Sequence, residues 1–276
     1  MTPLFKMLSF LPLWLLHGLG WLLGWIAFLA SPVYRQRFRA NVLQAGFSLA
    51  DWLPAVGAAG QLVSELPRLW LGRPVRIQWD GAPHVEEALA QKRGIVFLTP
   101  HLGSFEITAQ AYAQRFGARQ PMTVLFRPAR QPWLRDLIAS ARSRPNLKTA
   151  PTTMAGVKQL LKALRHGESV GLLPDQVPPH GLGVWAPFFG RPAYTMTLSA
   201  RLAQQTGAVV LVAWGERMSW GRGFKVHVMP LIEALPANAE QAAIRINQAM
   251  EQLIAHCPQQ YLWPYARYKQ PRQEGL

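Results

Sequence analysis

His101 and Glu106 are separated by four residues, and their types suit general acid–base chemistry. An imidazole can take a proton from a hydroxyl group, and a carboxylate can hold the ring in one tautomer and stabilise the imidazolium that forms. A histidine and a glutamate near a helix start also occur in many proteins without catalysis. The elements that position the pair therefore decide between the two interpretations.

The pair lies where a strand is expected to pass into a helix. Ile95–Leu98 is a short, continuous apolar run, which is typical of a strand buried on both faces, and Pro100 ends it. From Ser104, a plausible N-cap, the apolar pattern becomes helical, which places Glu106 in the first helical turn. His101 then lies in the turn before the helix, where we expect its ring to reach the carboxylate. Ligands of open α/β sheets bind outside the carboxyl ends of the strands.

Arginines follow the second predicted strand, Met122–Phe126. Arg127 closes that strand, and Arg142 comes soon after a segment, Trp133–Ala141, that we predict to be helical. Guanidinium groups bind phosphate bidentately, so one or two of these arginines facing His101 would form a phosphate site. The alternative is a solvated surface.

A third predicted strand, Val170–Leu173, ends in Asp175 and Gln176. Asp175 is either a second functional carboxylate or a simple turn residue, and the sequence leaves both open.

We predict a loop over Val177–Tyr194. Its aromatic residues, Phe188 and Phe189 among them, either line the groove for an apolar substrate or belong to the core.

The composition points to an anionic partner. Lys and Arg outnumber Asp and Glu by 29 to 14 in 276 residues, which favours nucleic acid, an anionic membrane or an acidic carrier protein. The 11 tryptophans favour the membrane, and no basic low-complexity run of a nucleic-acid arm is present.

The single Cys257 excludes an intramolecular disulfide. No Cys/His cluster or nucleotide-binding glycine motif is found, so we expect neither a metal nor a cofactor.

The almost wholly apolar run Leu8–Ala30 is long enough to span a bilayer core of about 30 Å. A spanning anchor is the favoured interpretation; an interfacial helical hairpin bent at its glycines and a cleaved signal peptide are the alternatives. Arg35 and its neighbours follow at once, which by the positive-inside rule places the remainder in the cytoplasm. We therefore expect an anchor over residues 1–34 and a catalytic domain over residues 35–276.

Strands and helices alternate over that second region. This pattern predicts an α/β fold with a mostly parallel central sheet flanked by helices, preceded by the N-terminal membrane-anchoring helix.

Four stretches together resemble the lipid A late acyltransferases, the lauroyl and myristoyl acyltransferase branch of the lysophospholipid acyltransferase superfamily. They are Thr99–Glu106, Phe126-Arg127-Pro128 running on to Arg142, Leu173–Gln176, and Ala186–Gly190 followed by Pro192-Ala193. The tail around Tyr261-Leu262-Trp263 is also similar to the carboxyl end of that family.

The resemblance implies transfer of a fatty acyl chain from an acyl carrier protein thioester to a hydroxyl of a lipid A precursor, an anionic glycolipid. It places the reaction at the cytoplasmic face of the bacterial inner membrane. By position, His101 is then the base and Glu106 its partner, while Arg142 and Asp175 support the site. Arg127 matches an arginine that the superfamily shares more widely.

One departure leaves the acceptor open. The Pro-Asp-Gln motif continues as Val177-Pro178-Pro179, where some members have acidic or polar residues. A lysophospholipid, an ornithine-type lipid or another glycolipid remains an alternative acceptor, and coenzyme A an alternative donor. A non-catalytic lipid-binding protein is the alternative from a different class.

Overall fold

The computed structural model describes residues 2–126 and 144–273. Strands and helices alternate after an all-helical N-terminal region. The strands are β1 (Ile77–Asp80), β2 (Ile95–Leu98), β3 (Met122–Phe126), β4 (Leu147–Pro151), β5 (Ser169–Leu172), β6 (Gly183–Phe188), β7 (Arg191–Met196), β8 (Val209–Arg217) and β9 (Phe224–Pro230). The helices are α1 (Thr2–Leu8), α2 (Leu13–Ala30), α3 (Pro32–Gln44), α4 (Leu49–Ser64), α5 (Leu66–Leu71), α6 (Ala82–Ala90), α7 (Phe105–Arg115), α8 (Met154–Arg165), α9 (Leu198–Thr206) and α10 (Ala239–His256).

Seven strands form one sheet in the order β1-β9-β8-β2-β5-β3-β4. All neighbours are parallel except β8 and β9, which run antiparallel. The predicted α/β fold with a mostly parallel sheet is therefore confirmed. Strands β2 and β5 are adjacent, with Leu98 opposite Leu172, so the turns that follow them meet at the carboxyl edge of the sheet.

Both faces of the sheet are buried, as the continuous apolar runs predict. Val96 and Leu98 of β2 point into one apolar cluster, which also contains Leu160 of α8. Ile95 and Phe97 point into a second cluster on the other face, which α7 covers. Burial of β2 on both sides holds the start of the His101 turn in place.

Two parts of the predicted arrangement differ from the structure. The prediction of a loop over residues 177–194 was wrong, because β6 and β7 pair there as an antiparallel hairpin with Trp185 opposite Tyr194. Strand β4 pairs with β3 at the sheet edge and was not predicted. The helix predicted over residues 133–141 lies outside the described residues.

The N-terminal helices cover one part of the domain. Helix α2 is long and apolar enough to cross a membrane by length and composition, and a third of it is buried. It packs along α4.

Candidate active site

The turn that carries His101 is clamped from two sides. The backbone N–H of Leu262 donates to the carbonyl of His101 at 3.1 Å, and that of Gly103 donates to the carbonyl of Gln260 at 3.0 Å. Gly103 has a φ of +59°, and a Cβ at this position would lie 2.0 Å from the carbonyl oxygen of Gly215. Only glycine fits this turn, because it adopts the left-handed conformation and leaves room for the neighbouring strand.

Asp175 and Gln176 hold the imidazole of His101 between them. Nδ1 lies 2.7 Å from Oδ1 of Asp175, and Nε2 lies 3.0 Å from the amide nitrogen of Gln176. Because a carboxylate only accepts, the proton belongs on Nδ1, and Nε2 presents its lone pair to the Gln176 amide. A hydroxyl group that replaced this amide would meet an imidazole ready to accept its proton.

Asp175 is itself held by several donors. Its Oδ2 accepts the backbone N–H of His101 at 2.8 Å and the hydroxyl of Tyr261 at 3.2 Å. Burial alone would raise the pKa of Asp175, but the hydrogen bonds and electrostatic attraction of His101, with the Arg267 guanidinium nearby, hold that pKa below its ordinary value. Asp175 is thus an ionised, fixed partner, and the simple turn interpretation does not account for this environment.

Glu106 lies in the first turn of α7, as predicted, and is buried. Its Oε2 accepts the indole N–H of Trp70 at 3.3 Å. The expectation that Glu106 orients the imidazole differs from the structure, since Asp175 makes that contact with His101. Ser104 occupies the predicted N-cap position, but its side chain makes no capping hydrogen bond within the described residues.

An apolar cavity is lined by Phe105, the aromatic neighbour of His101. The ring of Phe105 stands edge-on to the imidazole, with centroids 4.8 Å apart. Thr99 and Glu106 also line the cavity. The cavity lies between α7 and the sheet. Its inner walls are mostly aliphatic and aromatic: Phe97, Tyr112, Met122, Val124, Leu172, Ala213 and Val226.

The other predicted site residues are placed differently. Phe188 is buried in the core cluster on the opposite face of the sheet, and Phe189 packs against that cluster. Neither is among the described residues that line the cavity beside His101. Arg127 and Arg142 lie outside the described residues.

The structure adds two residues that the sequence analysis did not single out. Tyr261 donates to Asp175, and burial together with the Asp175 charge raises the pKa of Tyr261 well above its ordinary value. Arg267 is buried behind it and donates to the Tyr194 carbonyl and the Thr195 hydroxyl. In the sequence, both residues belong to a carboxyl-terminal segment rich in aromatic and basic residues. That composition does not predict which of its residues contacts Asp175.

The fold and the arrangement of His101 with Asp175 define the class: an α/β protein with a histidine–carboxylate pair at the carboxyl edge of its sheet. Residues 60–270 match the family described as bacterial lipid A biosynthesis acyltransferase. The chain belongs to this family and is an acyltransferase, which confirms the assignment made from the sequence motifs.

Individual relatives agree with the family. The chain is 30% identical over 225 residues to the lipid A biosynthesis lauroyltransferase of Escherichia coli K12, covering 79% of this chain and 71% of the relative. It is 27% identical to the lipid A biosynthesis palmitoleoyltransferase of the same organism, covering 76% and 68%. For the E. coli lipid A biosynthesis myristoyltransferase the identity is 24%, with 68% and 57% covered.

Proposed function

We propose that this protein transfers a fatty acyl chain from an acyl carrier protein thioester to a hydroxyl group of a lipid A precursor, at the cytoplasmic face of the bacterial inner membrane. The observation that carries the proposal is the imidazole of His101, which Asp175 holds and which contacts Phe105, a residue that lines an apolar cavity. Membership of the lipid A acyltransferase family supports the acceptor.

His101 is the general base in this proposal. The acceptor hydroxyl displaces the Gln176 amide from Nε2 and gives up its proton there, while Asp175 stabilises the imidazolium that forms. The acceptor oxygen forms a bond to the thioester carbonyl carbon, and the carbon–sulfur bond then breaks. The departing thiolate takes the proton back from Nε2, so the enzyme returns to its starting state.

No covalent acyl-enzyme is required. Cys257 is the only cysteine of the chain, and it is buried, which raises the pKa of its thiol to about 12. A nucleophilic cysteine needs a thiolate at working pH and access to the substrate. Direct transfer between donor and acceptor therefore agrees better with this chain.

Glu106 contributes a second negative charge to the proposed site. It lines the cavity next to Phe105, whose ring contacts His101. A carboxylate stabilises a positive charge that forms on a neighbouring group. We assign to Glu106 electrostatic support of the imidazolium, while Asp175 sets the tautomer and orientation of the ring.

The apolar cavity between α7 and the sheet is the proposed site of the acyl chain. Each CH₂ group removed from water stabilises the complex by roughly 0.8 kcal/mol, so a long chain needs an apolar channel that starts at the reacting carbon. The cavity borders Phe105, whose ring contacts His101, and it has such walls. It therefore replaces the aromatic segment around Phe188 and Phe189 as the favoured chain-binding site.

The remaining partners are proposed from charge and from the motif positions. A net charge of +15 suits both an acidic carrier protein and an anionic glycolipid. Arg127 and Arg142 are proposed to bind the anionic groups of the substrates, as the resemblance implies. We expect neither a cofactor nor a nucleic acid to take part.

The test is turnover of labelled acyl carrier protein thioester in detergent, with a lipid A precursor, a lysophospholipid and an ornithine-type lipid as parallel acceptors. We expect transfer to the lipid A precursor and a loss of about 10²–10⁴-fold in a folded His101→Ala variant. Near-normal turnover by that variant would remove His101 as the base. Preference for another acceptor would reassign the substrate.

A further inference from the structure

Helix α2 exposes a wide apolar surface. Its buried positions recur at steps of one to four residues and form a single stripe: Leu13, Leu16, His17, Gly20, Gly24 and Phe28. Around the rest of the helix, large apolar side chains are exposed, and these define the outer face of α2: Trp14, Leu19, Trp21, Leu22, Leu23, Ile26 and Leu29. A surface helix in water carries polar residues on such a face. The outer face therefore indicates an apolar partner.

The segments on both sides of α2 rest on the catalytic domain. In α1, which precedes it, the ring of Phe5 lies 5.7 Å from that of Trp70. In α3, which follows it, Phe38 is fully buried in the core, and the Asn41 amide donates to the carbonyl of Trp263. Both flanking helices are thus parts of one packed body.

Glycines bring α2 close to α4. Gly20 and Gly24 of α2 face Gly60 of α4, where an added Cβ would lie 1.9 Å from the carbonyl oxygen of Gly20. Contact between small residues lets helices pack closely in an apolar environment. Because α2 is one continuous helix, these glycines serve helix packing, and the hairpin bend considered from the sequence does not occur there.

A buried ionic cluster fixes the inner side of α2 to the catalytic turn. His17 Nε2 lies 3.1 Å from Glu65 Oε2, and Arg217 donates to both oxygens of Glu65. Arg217 also donates to the carbonyl of Gly103 at 2.7 Å. Burial alone would raise the pKa of Glu65, but Arg217 and His17 hold it below its ordinary value. Moving α2 away would leave this cluster without one of its members.

A helix that crosses a bilayer carries its flanking segments to opposite sides of a hydrocarbon core about 30 Å thick. Helices α1 and α3 instead lie on the same domain. We propose that α2 does not cross the membrane but lies in the plane of the cytoplasmic leaflet, with its outer face in the acyl chains and its inner face on the catalytic domain. The proposal rests on the membrane-bound function proposed above.

The charges around α2 favour an anionic leaflet as the partner. Residues 1–50 contain Lys6, Arg35, Arg37 and Arg39 but no Asp or Glu. Arg37 and Arg39 are exposed, where they can reach anionic headgroups.

The start of α2 also packs on the connection that follows β8, at the sheet edge that carries His101. A lipid acceptor could therefore reach the site from the leaflet.

Single-cysteine labelling tests the orientation. In a Cys257→Ser background, cysteines replace Lys6 before α2, Gln36 after it, and Gln114 on α7, all of which are exposed. A membrane-impermeant maleimide is added to inside-out and to right-side-out inner-membrane vesicles. We expect all three positions to react in inside-out vesicles only. Labelling of Lys6→Cys from the face opposite to Gln36→Cys would show a spanning helix and overturn the proposal.

A binding experiment tests the outer face itself. Leu22→Gln combined with Ile26→Gln should weaken binding to vesicles of phosphatidylethanolamine and phosphatidylglycerol by about tenfold or more, because both side chains would leave the acyl region. Ile232→Gln is the control, since Ile232 is 82% exposed but follows β9 and is not part of α2. Unchanged binding of the double variant would overturn the proposal.

The labelling is repeated in His101→Ala. The labelling pattern does not depend on turnover, so it reports orientation even if the acyl transfer proposal fails. Conversely, a spanning pattern together with normal, His101-dependent transfer would remove the in-plane helix and leave the proposed function standing.

Discussion

Replacing Asp175 with Asn should cause a loss that follows from the hydrogen bonds around the carboxylate. In the wild-type protein, Oδ2 accepts from two donors, the backbone N–H of His101 and the hydroxyl of Tyr261. These donors will select the carbonyl oxygen of an asparagine at that position, which turns its NH₂ group toward Nδ1. Nδ1 must then accept, the ring proton moves to Nε2, and His101 loses the lone pair it needs as a base.

The expected magnitude is large. The same exchange of Asp for Asn beside a catalytic histidine keeps the geometry of a serine-protease triad but lowers kcat about 10⁴-fold, because the imidazole adopts the wrong tautomer. We expect Asp175→Asn to lower kcat by about 10³–10⁴-fold, with a smaller change in KM. The assay is initial-rate transfer from labelled acyl carrier protein thioester, with thermal unfolding in detergent as a check on the fold.

Asp80→Asn is the matched control. Asp80 Oδ2 lies 3.1 Å from Nδ1 of His227, so the variant makes the same change at a histidine–aspartate pair away from the site, and we expect unchanged turnover. A loss of less than about tenfold in a folded Asp175→Asn protein would refute the tautomer argument. So would recovery of the rate on raising the pH, because a tautomer, unlike a protonation state, is not restored by base.

Three further predictions test other parts of the site and the fold. Glu106→Gln keeps a hydrogen-bond acceptor for Trp70 but removes the negative charge. We therefore expect kcat, measured by the same assay, to fall by about tenfold or more. An unchanged kcat would leave Glu106 with a structural role only. Ala109→Leu narrows the apolar cavity and should shift preference toward shorter acyl donors on a ladder of thioesters, whereas Ala186→Leu in β6 should leave the length profile unchanged. The pKa of Glu65 is lower in the folded state than in the unfolded state. The ionic cluster of Glu65 with His17 and Arg217 therefore stabilises the protein fully above about pH 4, and this stabilisation is lost as the pH falls further. Glu65→Gln should therefore lower the free energy of unfolding at neutral pH by about 3–5 kcal/mol. In thermal unfolding, the stability of the variant should fall less with decreasing pH than that of the wild-type protein. An equal fall in the variant and the wild-type protein would contradict this.

The central strands could be predicted because their apolar runs are continuous. Met122–Phe126 was predicted with the same bounds that the structure shows, since four of its five residues are large and apolar. The edge strand β4 gives no such signal: Lys148 points outward, and only Leu147 and Ala150 are buried. The β6–β7 hairpin contains Pro187 and Pro192, which usually indicate a loop, but a two-stranded hairpin has only edge strands, where proline is tolerated.

The partner of His101 shows where local spacing stops being informative. Glu106 is near in sequence, but α7 begins at Phe105 and carries the following residues over the face of the sheet. Asp175 is 74 residues away, yet it follows Leu172 by the same three positions by which His101 follows Leu98, and these two leucines are register partners. Because β2 and β5 are neighbours, the equal offsets bring the two side chains to the same height at the carboxyl edge. Strand order is a property of the whole sheet, so neither motif alone contains it. A pair of polar residues at equal distances from two buried strand ends is therefore a better guide to such a site than a short spacing along the chain, once the strands are known to be adjacent.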